Sequence, residues 1–193
     1  MTMHSTIAAS SSHGGILLPL DMFRITALAA VLADGLVSRA RNIVDAIVRI
    51  TRHPRSQLVL VRVHGNVVGQ DPAEFWREHA DLVLLASQAM PRQCFLYYAR
   101  GGSDRREGFV VAQRGQVLAA DEATKDTMPP NAKPNEWPVA RLCEQMRIDV
   151  ADLMDEFPGG PAVELSLIEP RGDDQALLLA LAGQAEATTP SAS

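Results

Sequence analysis

Cysteine, histidine and clustered carboxylates are the side chains from which chemistry could be built here, and each occurs in a restrained setting. Cys94 could be drawn into a thiol–imidazole pair with His64 or His79. A nucleophilic thiol needs partial exposure and a cation or a helix N-terminus to acidify it. Cys94 instead opens the apolar run Cys94-Phe95-Leu96-Tyr97-Tyr98, and neither aid adjoins it in the sequence. A buried structural thiol is the favoured reading. Cys143 lies in a second apolar pattern, so two reduced, buried thiols in a cytoplasmic chain are expected.

Glu74, Glu78, His79 and Asp81 form an acidic cluster on one predicted helix. Glu74 and Glu78 are four residues apart and would share a face. A carboxylate metal site of the bundle type also needs Glu-x-x-His ligands on facing helices, which the sequence lacks. A solvated helix face is the simpler reading. No Walker loop, dinucleotide fingerprint, Gly-x-Ser-x-Gly elbow or His-Glu-x-x-His occurs. The sequence therefore predicts no catalytic residue, no cofactor and no metal, and points away from the common enzyme classes.

Nucleic-acid chemistry fares no better. Arg39, Arg41, Arg49, Arg52, Arg55 and Arg62 make one stretch basic against Asp45, which reads as a polar helix face with internal ion pairs. Leu142 to Leu153 has the apolar spacing of a helix-turn-helix. Its turn would need Arg147 where glycine is usual, and its reading helix would carry Asp149, Asp152, Asp155 and Glu156. Those acids would repel phosphate. A formal charge of −5 agrees with both exclusions.

What remains is a contact surface. Arg100, Arg105 and Arg106 cluster beside Asp104 at a predicted hairpin tip, a common place for a protein partner to be met. Trp76, on the predicted second helix, is the other candidate contact.

The elements that carry these residues are set by hydrophobic period. The central feature is an antiparallel meander over about 93–120. Its strands are Cys94–Tyr98, Gly108–Ala112 and Val117–Ala119, with Gln113-Arg114-Gly115-Gln116 as a tight turn. Further strands are predicted over about 57–63 and 162–168, and Val67–Gly69 as a short return. Residues Met22, Ile25, Ala29, Leu32, Leu36, Ile43, Ile47 and Ile50 recur at helical steps and predict a long amphipathic helix over 21–52. Gly35 is a candidate break in it. Asp71-Pro72-Ala73-Glu74 opens a helix running to about Met90, and Pro138 stands in the first turn of a helix over 137–157. A last helix is predicted over 173–183, and residues 122–136 form a linker. With four or five helices against one sheet and no regular βα alternation, the fold class is α+β.

A chain of 193 residues with 47% apolar content supports one good-sized core. The reading is a tail over 1–14, with an extended segment from Ile16 to Leu20. One domain follows over 15–183, its 21–52 helix serving as an arm or dimer contact, and then a tail over 184–193. No stretch of about 18 uninterrupted apolar residues is present, so no membrane association is expected. The functional expectation is a cytoplasmic protein-binding module of the adaptor, secretion-chaperone or immunity-inhibitor type, acting on another protein without catalysis and dimerising through 22–50. The alternative is a small enzyme or ligand-binding protein with a pocket between the sheet and the 137–157 helix.

Overall fold

The computed structural model describes residues 11–20, 47–64 and 71–166. Their strands are β1 (Ser12–Pro19), β2 (Ile47–Arg52), β3 (Leu58–His64), β4 (Cys94–Arg100), β5 (Arg106–Gln113), β6 (Gln116–Thr124) and β7 (Ala162–Ser166). They make one antiparallel sheet in the order β6-β5-β4-β1-β3-β2-β7. The helices are α1 (Pro72–Glu78), α2 (Leu82–Ala89), α3 (Pro138–Met146) and the five-residue α4 (Val150–Met154). An α+β architecture with a β4-β5-β6 meander is what the periodicity predicts. Among the described residues no helix is long and apolar enough to cross a membrane.

The meander follows from its turn chemistry. Arg114 and Gly115 both take positive φ, at 53° and 75°, as a two-residue hairpin with the hand of the strand twist demands. β6 continues to Thr124, so the first residues assigned to a linker belong to the sheet, where pairing with Arg106–Gly108 holds them.

Each face of the sheet carries its own core. Ile16 and Leu18 of β1 join Val59, Val61, Leu96 and Tyr98 beneath α1 and α2. Leu17 points the other way and joins Leu60, Phe95, Tyr97 and Val111 beneath α3 and α4. That two-sided burial explains why Cys94–Ala99 is apolar without alternation.

Three expectations are corrected. The segment Ile47–Arg52, read as the end of a long helix, is an internal strand between β3 and β7. Its Ile47, Val48, Ile50 and Thr51 are β-branched and suit a pleated strand, and pairing on both edges overrides the three- and four-residue spacing. Residues 21–46, the rest of that helix and of the proposed dimer contact, lie outside the described residues, as do Val67–Gly69 and the predicted helix 173–183. Next, Ser12 to Gly14 are not part of a tail; they begin β1, which lies between β4 and β3. Gly14 is required there, because a Cβ on it would overlap the Trp76 indole.

The third correction concerns helix length. The predicted 71–90 helix is two helices broken at His79–Asp81. The predicted 137–157 helix breaks at Arg147, which adopts the left-handed conformation at φ 57°. The described residues thus hold three helices of seven residues or more, and α4, instead of four or five led by a long N-terminal one.

Candidate partner-binding groove

On the sheet face that carries α1, the β4–β5 hairpin runs on past the helix. Tyr98 and Arg100 of β4 and Arg106 of β5 stand there beside Glu74 of α1 and Lys125 beyond β6, around a cavity of about 540 Å³. Across Arg100, toward Ser12 and Gly102, lies a second hollow of about 250 Å³. The α1 wall is set by its cap: the Asp71 carboxylate accepts from the backbone N–H groups of Ala73 and Glu74 at 3.0 and 3.2 Å. It also accepts from the Ser12 hydroxyl at 2.6 Å, which ties α1 to β1.

The floor is built on one cross-strand pair. Tyr98 faces Gly108, and only glycine leaves room for the phenol, since a Cβ at 108 would overlap it. The Tyr98 hydroxyl donates to Glu122 at 2.8 Å. Burial, and then the hydrogen bond and charge of that carboxylate, push the phenol well above its ordinary range.

The walls are loosely paired charges. Arg106 lies 3.8 Å from Glu74 and 3.5 Å from Glu122, and Arg100 lies 4.0 Å from Asp71. Glu74 also accepts from Arg77, and that hydrogen bond, followed by the charges of Arg77 and Arg106, holds its carboxyl below the usual range against desolvation. Two of the predicted contact residues, Arg100 and Arg106, therefore sit where the cavity is.

The other two are placed differently. Trp76 is only 2% exposed and belongs to the core, edge-on to Phe75 and packed over Gly14. Arg105 reaches the rim of the cavity, but its guanidinium carbon lies 3.7 Å from the centre of the Trp137 ring. Its Nε and Nη2 donate to Glu107 at 2.9 and 2.6 Å. Glu107, 1% exposed, also accepts from the Val139 N–H at the start of α3 at 3.3 Å. Burial raises its carboxyl pKa, and the Arg105 hydrogen bond and charge oppose that rise. The sequence reading overlooked Glu107. Its signal is the Arg105-x-Glu107 spacing, which puts both side chains on one side wherever the chain is extended.

A second buried charge lies among the arginines that the sequence presents as a polar helix face. Arg62, 6% exposed, donates to the Tyr97 hydroxyl, to the Leu153 and Met154 carbonyls at 2.8 and 3.2 Å, and to Glu156 at 3.0 Å. Arg49 lies 3.5 Å from both Glu156 and Glu164, and Arg52 is buried. Of the arginines from 39 to 62, these belong to the packed sheet; Arg39 and Arg41 lie outside the described residues.

The thiol reading can be tested on geometry. Cys94 and Cys143 are free and buried, and burial pushes both thiols up to about 12. His79 packs edge-on to Phe75 at 4.8 Å, and the His64 side chain lies outside the described residues. Among the described residues no group of three metal-ligating side chains comes together. The space between the sheet and the 138–154 helices, where a pocket was the alternative, is occupied by Val139, Leu142, Leu153 and Phe157 packed on Phe95 and Tyr97.

Comparison of the chain with known protein families, with curated proteins and with solved structures finds no match.

Proposed function

We propose that this protein is a cytoplasmic protein-binding module, of the adaptor, secretion-chaperone or immunity-inhibitor kind, that holds its partner in the groove between α1 and the β4–β5 hairpin and performs no catalysis. The observation that carries the reading is the state of Arg100 and Arg106. Both line an open cavity, and their acidic neighbours lie at 3.5 Å or more. Guanidinium donors held at such distances keep capacity for charge-assisted hydrogen bonds to a partner's carboxylates or carbonyls. Acidic residues at the same rim, Asp104 and Asp126, suit a polar segment bearing both signs. Nucleic acid and membrane are not part of the proposal.

A small-molecule reading takes the same cavity, whose volume falls within the range of about 300–1,000 Å³ usual for ligand sites. It replaces the pocket expected beneath the 137–157 helix.

The test is affinity capture from native extract with the wild type, Arg100→Gln and Arg106→Gln in parallel. The proposal expects a stoichiometric protein held by the wild type, lost from both variants, with unchanged thermal stability of the bait. Equal retention by all three removes the groove as the binding site.

A further inference from the structure

We infer that Arg100 and Arg106 together form a subsite for a phosphate monoester, so that the groove takes a phosphorylated segment of its partner. This rests on the groove being the partner site and names what it selects there. The two arginines are direct cross-strand partners, and their row across the sheet runs Ser12, Arg100, Arg106, Thr124. Both stand at the cavity beside α1, two residues along from the Tyr98–Gly108 pair. Like charges set directly opposite each other on a sheet repel, and this row holds no carboxylate to offset them. An anion placed between the two guanidiniums removes that repulsion.

The acids nearby are committed elsewhere. Asp71 accepts from the Ser12 hydroxyl and from the Ala73 and Glu74 N–H groups. Glu74 accepts both of the Arg77 side-chain hydrogen bonds, and Glu122 accepts from Tyr98. At 4.0, 3.8 and 3.5 Å from the two guanidiniums, these carboxylates supply charge without a well-formed hydrogen bond. Arg105 has no such spare capacity, because Glu107 and the Trp137 ring hold it.

Charge and shape choose the anion. A carboxylate brings one charge and two oxygens, which leaves one of two guanidiniums uncompensated. A phosphate monoester brings about −1.5 to −2 and three acceptor oxygens. That matches two planar forks of donors. Lys125 and Ser103 line the same cavity and add an ammonium and a hydroxyl. At about 540 Å³ the cavity also has room for the residue that carries the phosphate. Asp104 and Asp126, exposed at the rim, disfavour the repeated phosphates of nucleic acid and favour a basic residue beside a single one.

The probes are two peptides, Lys-Ala-X-Ala-Lys with phosphoserine or glutamate at X, and inorganic phosphate, each titrated into the full chain by calorimetry. The phosphoserine peptide should bind about tenfold or more tightly than either other probe. Arg100→Gln and Arg106→Gln should each lose about tenfold or more, the weight of one charge-assisted contact, with melting of the free protein unchanged. Arg92→Gln, at an exposed position outside the groove, should keep the wild-type affinity. No binding of the phosphoserine peptide at millimolar concentration overturns the inference, as does equal binding of the glutamate peptide. Binding that survives both arginine substitutions overturns the subsite. Inorganic phosphate held as tightly as the peptide overturns the partner's side chain as the source and assigns the pair to a free phosphate. The groove reading fails on a separate observation, retention of the captured protein by all variants, whichever way the peptides bind.

Discussion

Arg62 and Glu107 bracket the helical layer on the second face of the sheet with opposite charges. The Arg62 guanidinium donates to the Leu153 and Met154 carbonyls at the end of α4, and the Glu107 carboxylate accepts from the Val139 N–H at the start of α3. Each sign suits the partial charge of the helix end it meets. Both side chains are buried, and each is satisfied by more than its helix: Arg62 by Tyr97 and Glu156, Glu107 by Arg105.

Removing Arg62 should be among the most destabilising single changes available. Arg62→Met would leave the Tyr97 hydroxyl without its guanidinium and the α4 carbonyls uncapped in a buried site. Deleting one partner of such a network costs about 3–5 kcal/mol. The exposed Arg92→Ala should cost under about 0.5 kcal/mol. Denaturant unfolding of the two variants checks the contrast, and similar midpoints would refute the role given to Arg62.

At the hairpin tip, Arg105 should behave as a structural residue. In the sequence Arg105 reads as a partner contact on an exposed tip, where substitution costs little stability. Its stacking on Trp137 and its bonds to Glu107 predict otherwise. Arg105→Gln should cost about 2 kcal/mol at neutral pH by leaving a buried carboxylate without its cation. The sign with pH follows from the raised pKa of Glu107. A carboxyl raised by folding favours the native state below its unfolded value and loses that contribution as pH rises through its folded value. Loss of Arg105 raises it further, so the deficit of the variant should shrink on acidification toward the carboxylate range. A deficit that is constant with pH would contradict the pairing.

The Tyr98–Gly108 pair should be coupled. Gly108→Ala pushes a methyl group into the phenol and should cost about 1–3 kcal/mol. Tyr98→Ala removes the obstacle, so Gly108→Ala in that background should cost much less. A double-mutant cycle measures the difference. Strict additivity would mean that the strand tolerates the methyl by other means.

Acid sensitivity should arise partly at His53. Desolvation lowers its pKa from 6.5, with the Asp152 charge opposing. Its Nδ1 accepts from the Arg55 N–H at 3.1 Å, a bond that requires the neutral ring at that nitrogen. A histidine depressed by folding contributes stability above its unfolded pKa and loses it as pH falls through the folded value. Melting temperature should therefore drop between about pH 7.5 and 5.5, and His53→Gln should drop less. Equal slopes for the two proteins would assign the acid response to other groups.

Local chemistry decided much of this molecule. Gly115 marks the β5–β6 turn, because it takes one of the two positive φ values at no steric cost, and the hairpin imposes the other on Arg114. Asp71-Pro72 starts a helix wherever it is placed, and the capping bonds are those expected. The α+β class, the meander and the burial of both cysteines follow from the hydrophobic pattern. Tertiary structure decided the rest. Ile47–Arg52 satisfies both a helical and a strand period, and only the edges of β3 and β7 select the strand. Ser12–Gly14 has little intrinsic preference, yet β4 and the Trp76 ring hold it extended. Whether an arginine meets solvent could not be read from its neighbours in the chain. Arg62, Arg100, Arg105 and Arg106 look alike in sequence, and their separation into staples and groove walls is made by residues up to 94 positions away. Burial and charge pairing are sums over partners that folding brings together, so they exist only once the sheet is formed.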